Sequence, residues 1–166
     1  TQDVLLASKL KHPRRSPGVD TGVHEGWPFT VHDRGAGLTL AERVAPGQPH
    51  LGTMEVVALV IDVLEGLAYA HDAGVAHKDL ALHNVLLDSA GRASLVGLAV
   101  GLAAKEPGVR EDTLSRQEQR VAAERDIVMV GLLMHRLLAG HPALDDADLG
   151  HVASRLGLEI IRLPWT

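Results

Sequence analysis

The chain has no cysteine, which excludes disulfides and thiolate metal sites and fits a cytoplasmic compartment. Aromatic residues make up only 2% of its 166 residues. Any core must therefore be built from Leu, Val, Ile and Ala, which bury less area per residue and imply modest stability. There is no long basic run. With 16 Lys and Arg against 21 Asp and Glu the net charge is −5, and no nucleic-acid partner is expected. No apolar run reaches the ~18 residues that cross a bilayer, nor is there a basic-then-apolar leader, so no membrane partner is expected either. The first residue is Thr and not Met, as in a fragment or a trimmed chain. What is present, 46% hydrophobic and 22% charged residues, describes a single globular domain.

Asp3 to Leu10 reads as the tail of a helix stopped by Lys11-His12-Pro13. Two short strands are expected around Val19–Val23 and Phe29–Asp33, joined at His24-Glu25-Gly26. Thr39-Leu40-Ala41-Glu42 is a capping-box pattern that should open a helix to about Val44, before Pro46-Gly47-Gln48-Pro49 breaks the chain. Between Thr53 and Asp72 the apolar positions 56, 57, 60, 63, 64 and 67 form one helical face, ended by Gly74. A hairpin follows, Asn84–Leu87 and Ala93–Val96, then a Gly- and Ala-rich loop over 97–112. Leu114 to Ala139 predicts one long helix or two. Its second half, from Ile127 to Met134, is apolar all the way round, so burial on every side is expected there. Gly140 and Pro142 end it, and one more helix is expected near Asp146–Leu156 before an apolar finish at Ile160–Trp165.

The most informative stretch is His77-Lys78-Asp79-Leu80-Ala81-Leu82-His83-Asn84, followed by Val85-Leu86-Leu87-Asp88. An Asp five residues before an Asn, on a loop between a long helix and a short apolar strand, is a phosphoryl-transfer arrangement. The Asp orients and deprotonates a hydroxyl, and the Asn offers an amide oxygen to a metal that bridges phosphates. The stretch resembles the catalytic loop of bacterial eukaryotic-like serine/threonine protein kinases, H-R-D-x-x-x-x-N, with Lys78 where Arg is usual.

The resemblance covers nearly the whole chain. It implies an α+β, mostly α fold: a helical lobe over 36–166, with a hinge and a remnant of the upper-lobe sheet over 1–35. It implies catalytic roles for Asp79, Asn84 and Lys78, and a metal role for Asn84 if the domain is active. His32, Asp33, Arg34 and Gly35 would line an adenine pocket floored by Leu86, with ATP and magnesium as cofactors. Asp126 in Asp126-Ile127-Val128-Met129-Val130-Gly131 would hold the catalytic-loop backbone.

The departures point the other way. Where the family has D-F-G, whose Asp holds magnesium, this chain has Gly97-Leu98-Ala99. No A-P-E equivalent is found, and no Gly-rich phosphate loop or ion-pairing Lys lies within the sequence. A structural role for Asp79 therefore outweighs a catalytic one, and His77 reads as a core histidine. Lys78 lacks the bidentate fork that would receive a phosphate. The ten His residues show no metal-ligand spacing on a helix. The expectation is a catalytically impaired pseudokinase that binds a protein partner, or missing segments of a longer polypeptide. The alternatives are an ATP-dependent serine/threonine kinase whose upper lobe lies upstream and, more remotely, a small-molecule phosphotransferase.

Overall fold

The computed structural model of the chain describes residues 11–14, 18–25, 27–34, 37–98 and 116–140. The two strands expected around His24-Glu25-Gly26 form an antiparallel ribbon, β1 (Gly18–His24) and β2 (Trp27–His32), with Thr21 paired to Thr30. Glu25 turns the chain at a φ of 50°, in the left-handed region that few non-glycine residues enter. Among the described residues this ribbon pairs with no third strand, and Val23, Phe29 and Val31 are exposed.

Beyond Arg34 the backbone passes close over a second sheet. A Cβ at Gly37 would sit 2.4 Å from the Leu87 carbonyl oxygen, so the two backbones meet only because glycine has no side chain. That approach delivers β3 (Leu38–Thr39) to β4 (Val85–Leu87), which pairs in turn with β5 (Ala93–Leu95). Thr39 then caps α1 (Leu40–Arg43). Its hydroxyl accepts from the Glu42 N–H at 3.2 Å, and the Glu42 carboxylate accepts from the Thr39 N–H at 2.7 Å, the reciprocal box that the sequence pattern predicts. Arg34 donates to the same carboxylate, and this bond with the Thr39 amide lowers the Glu42 pKa to about 2.

The long helix α2 (Thr53–Asp72) stops as expected at Gly74, whose φ is 77°. The Gly74 N–H reaches His71 O and the Val75 N–H reaches Ala70 O, both at 2.9 Å, satisfying carbonyls that the helix leaves over. The buried face differs from the apolar pattern. Val56, Leu59, Val60, Asp62, Val63, Gly66, Leu67 and Ala70 are buried, while Val57 is only half-buried and Leu64 is exposed. The face is rotated because Asp62 turns inward to meet Arg14 and Arg92. A pattern built on apolar residues alone cannot register a paired carboxylate.

The last described element is a single helix, α3 (Arg116–Ala139), ended by Gly140 at a φ of 77°. Burial on every side is not observed. Val130, Leu133 and Leu137 are buried, whereas Ile127 (49% exposed), Val128, Met129 and Leu138 are exposed. Its packed face is the one turned toward the core. That core joins α1, α2, β4, β5 and α3 through Leu40, Val56, Val63, Leu67, Val85, Leu95 and Leu133, each such side chain contributing about 1.5–3 kcal/mol by leaving water. The elements expected at 3–10, 99–112, 146–156 and 160–165 lie outside the described residues.

Candidate functional site

The loop from Val75 to Asn84 joins α2 to β4 and is held from both sides. Asp126 of α3, 1% exposed, accepts the His77 N–H at 2.7 Å on one carboxylate oxygen and the Lys78 N–H at 2.9 Å on the other. This is the task the resemblance implies for it. His71 of α2 adds a third bond, its Nε2 lying 2.8 Å from the first oxygen. A carboxylate can only accept, so Nε2 carries the hydrogen. Nothing in the sequence singled out His71 for this; the sole signal was its place in the last turn of α2.

His77 is fully buried, and its Nε2 donates to the Val96 carbonyl at 2.8 Å. Its Nδ1 has no partner among the described residues. Burial pushes the imidazole pKa down against the opposing pull of the Asp126 charge, so His77 is a neutral core histidine. Lys78 follows at a φ of 72°, a left-handed conformation fixed by the Asp126 bond to its amide. Lys78 and Asp79 are half-buried, and Leu80 anchors the loop in the core.

Asn84 closes a 3₁₀ turn over Leu82–Asn84. Its Oδ1 accepts from the Ala81 N–H at 3.1 Å, its own N–H reaches Ala81 O at 3.0 Å, and its carbonyl accepts the Val96 N–H at 2.9 Å. Gly97 comes next to Val96, with a φ of 75°, and a Cβ there would stand 3.2 Å from Asn84 Nδ2. Position 97 therefore lies beside the Asn84 side-chain amide nitrogen and carries no side chain. The Gly97 N–H points to His32 Nε2 at 3.4 Å, which brings the end of β2 to the same place.

The structure thus gathers Lys78, Asp79, Asn84, Gly97 and His32 along one loop and strand end. Leu86 lies within β4, 9% exposed, opposite Thr39 and Ser94, while Asp33 is exposed in the hinge. Gly35 lies outside the described residues. The donor set at 84 and 97 does not fit magnesium, which is bound chiefly through carboxylates and phosphates. It offers one amide oxygen, already bonded to Ala81, and no carboxylate. Among the described residues no cluster of His, Asp or Glu could hold a metal.

A helical lobe, a partial small sheet and an anchored loop with Asp79 and Asn84 define a protein kinase-like domain. The family described as "Protein tyrosine and serine/threonine kinase" matches residues 6–124, and the chain belongs to that family. It is 34% identical over 158 residues to the serine/threonine-protein kinase PknL of Mycobacterium tuberculosis, covering 86% of this chain and 39% of PknL. Over 163 residues it is 24% identical to the serine/threonine-protein kinase PrkC of Bacillus subtilis, covering 92% of this chain and 25% of PrkC. The probable serine/threonine-protein kinase PknB of Lactococcus lactis is 24% identical over 155 residues, 87% of this chain and 25% of PknB. The chain spans between a quarter and two fifths of the length of these relatives. No helix among the described residues is long and apolar enough to cross a membrane.

Proposed function

We propose that this protein kinase-like domain is a binding and scaffolding module that does not transfer phosphate. The observation that carries this is Gly97 beside the Asn84 side-chain amide: where the family has the Asp of D-F-G, this chain has no side chain. Phosphoryl transfer in this family rests on metal-borne stabilisation of the phosphates. Losing one such stabiliser commonly costs a factor of ~10²–10³ in rate. ATP binding, where it persists at the hinge and Leu86, is then weak and indifferent to magnesium. The partner in this reading is a protein segment, met in the cytoplasm.

One observation favours a second reading. Asp79 and Asn84 are both retained on a loop whose backbone is tied down by Asp126, as an ATP-dependent serine/threonine kinase requires. Incubation with labelled ATP, magnesium or manganese and generic protein acceptors separates the two. No signal above an Asp79→Asn control is expected, and an Asp79-dependent signal would establish the kinase. Gly97→Asp supplies the complementary test. At a left-handed φ the substitution costs about 1–3 kcal/mol, yet it restores a carboxylate beside Asn84. Thermal shifts with ATP should become magnesium-dependent in that variant and stay magnesium-independent in the parent.

A further inference from the structure

We propose that the cavity between the loop after α1 and the last turn of α3 binds a carboxylate carried on a short apolar body, with Arg136 holding the carboxylate. The cavity measures about 300 Å³, at the lower end of the range of small-molecule sites. A closed apolar space of about 150 Å³ already takes up benzene, so one ring with a head group has room here. Its floor is apolar. Leu137 is 8% exposed, and Val44 and Leu51 pack against the same core. The rim is a stiff piece of backbone. Pro46 and Pro49 fix their own φ, Gly47 turns at a φ of 89°, and the Gln48 N–H reaches Ala45 O at 3.1 Å. The Arg43 guanidinium closes the loop from α1, donating to Pro49 O at 2.6 Å. A wall built this way stands formed before a ligand arrives, which lowers the ordering cost of binding.

The charge pattern selects the ligand. The chain carries a net charge of −5, yet no Asp or Glu is among the described residues that line this cavity. Arg136 lines it, is exposed, and makes no side-chain hydrogen bond or ion pair among the described residues. Arg43, bonded to the Pro49 wall, adds a second positive charge nearby. A guanidinium takes a carboxylate through two parallel N–H bonds. The carbonyl end of α3 opposes an anion, but the Gly140 N–H caps the Arg136 carbonyl at 2.9 Å. What remains of that helix-end effect is weaker than a charge-assisted pair. None of the lining residues belongs to the loop from Val75 to Asn84, so failure of this site leaves the proposed function untouched.

Benzoate is the probe, with acetate as the head group alone and benzamide as the uncharged body. In nuclear magnetic resonance titrations of the 166-residue chain at constant ionic strength, benzoate should saturate. The Leu51 and Leu137 methyl signals and the Gly140 amide should move together. Acetate and benzamide should each bind roughly tenfold more weakly, for want of the apolar body or of the charge. Arg136→Gln should weaken benzoate roughly tenfold and leave benzamide unchanged. Ala45→Phe, which places a ring in the cavity, should abolish binding of both. No saturable shift at tens of millimolar benzoate would overturn the site. Benzamide binding as tightly as benzoate, or benzoate indifferent to Arg136→Gln, would overturn the assignment of the carboxylate to Arg136. Shifts spread evenly over the chain would mean non-specific association and also count against the proposal. Arg136 is exposed, so its substitution leaves the fold intact; if Ala45→Phe fails to fold, Arg136→Gln decides alone.

Discussion

Three donors converge on the Asp126 carboxylate, and two of them are main-chain amides of the loop that carries Asp79. Removing one partner of such a buried cluster leaves the others unsatisfied, at a cost of about 3–5 kcal/mol. Asp126→Ala should therefore unfold most of a domain with so few aromatic residues, as urea titration would show, while Asp126→Asn should be milder because one oxygen still accepts. Asp62 makes a second prediction at this scale. Burial alone pushes its pKa up, but the Arg92 hydrogen bonds, the Ala93 amide and the Arg14 charge prevail and hold it below the ordinary carboxylate value. A lowered native pKa means that the unfolded chain takes up the proton first. The stabilisation is thus complete above the unfolded carboxylate pKa of about 4 and is lost as pH falls through the lower native value. Denaturation midpoints measured from pH 6 down to pH 2 should fall steeply in the parent and less steeply in Asp62→Asn.

Elements were legible where a local signal decides them. The capping box at Thr39, the hairpin around Asp88 and the stops at Gly74 and Gly140 are each fixed by neighbouring residues, and each stands where the sequence pattern puts it. Asp79 and Asn84 stand out in the sequence by their spacing, and Gly97 by its place after β5. What escaped was set by distant partners: the inward turn of Asp62 depends on Arg14, and the His71 bond depends on a residue 55 positions away. The all-apolar stretch of α3 misled for a related reason, since composition says that a residue tolerates burial and not that a neighbour supplies it. Truncation separates the two faces of that helix. Leu133→Ala should cost about 2–5 kcal/mol, while Ile127→Ala should fall within about 1 kcal/mol, as thermal melts would report.

At the scale of the molecule, the β1–β2 ribbon forms, among the described residues, a sheet separate from the three-stranded one. A two-stranded ribbon is marginal in water by itself, and an edge left unpaired among the described residues is a template for another strand. With Val23, Phe29 and Val31 exposed on it, and Ile127, Met129 and Leu138 exposed on α3, concentration-dependent association is expected. Light scattering with an apolar-surface dye checks it, and Val23→Lys should reduce both signals. A monodisperse monomer without dye binding at tens of micromolar would remove the main physical support for a scaffold.

The distance along the chain between the loop and its anchor has a kinetic consequence. His77 must wait for a carboxylate 49 residues further on. A chain emerging from the ribosome can form α2 and the hairpin from local contacts, but its loop stays open until α3 has been made and has packed. Contacts of such long sequence separation are slow to form. Mutating Asp126 should then speed unfolding and leave the folding rate almost unchanged, giving a φ-value near zero. The loop that defines this family would be the last part of the domain to take its shape.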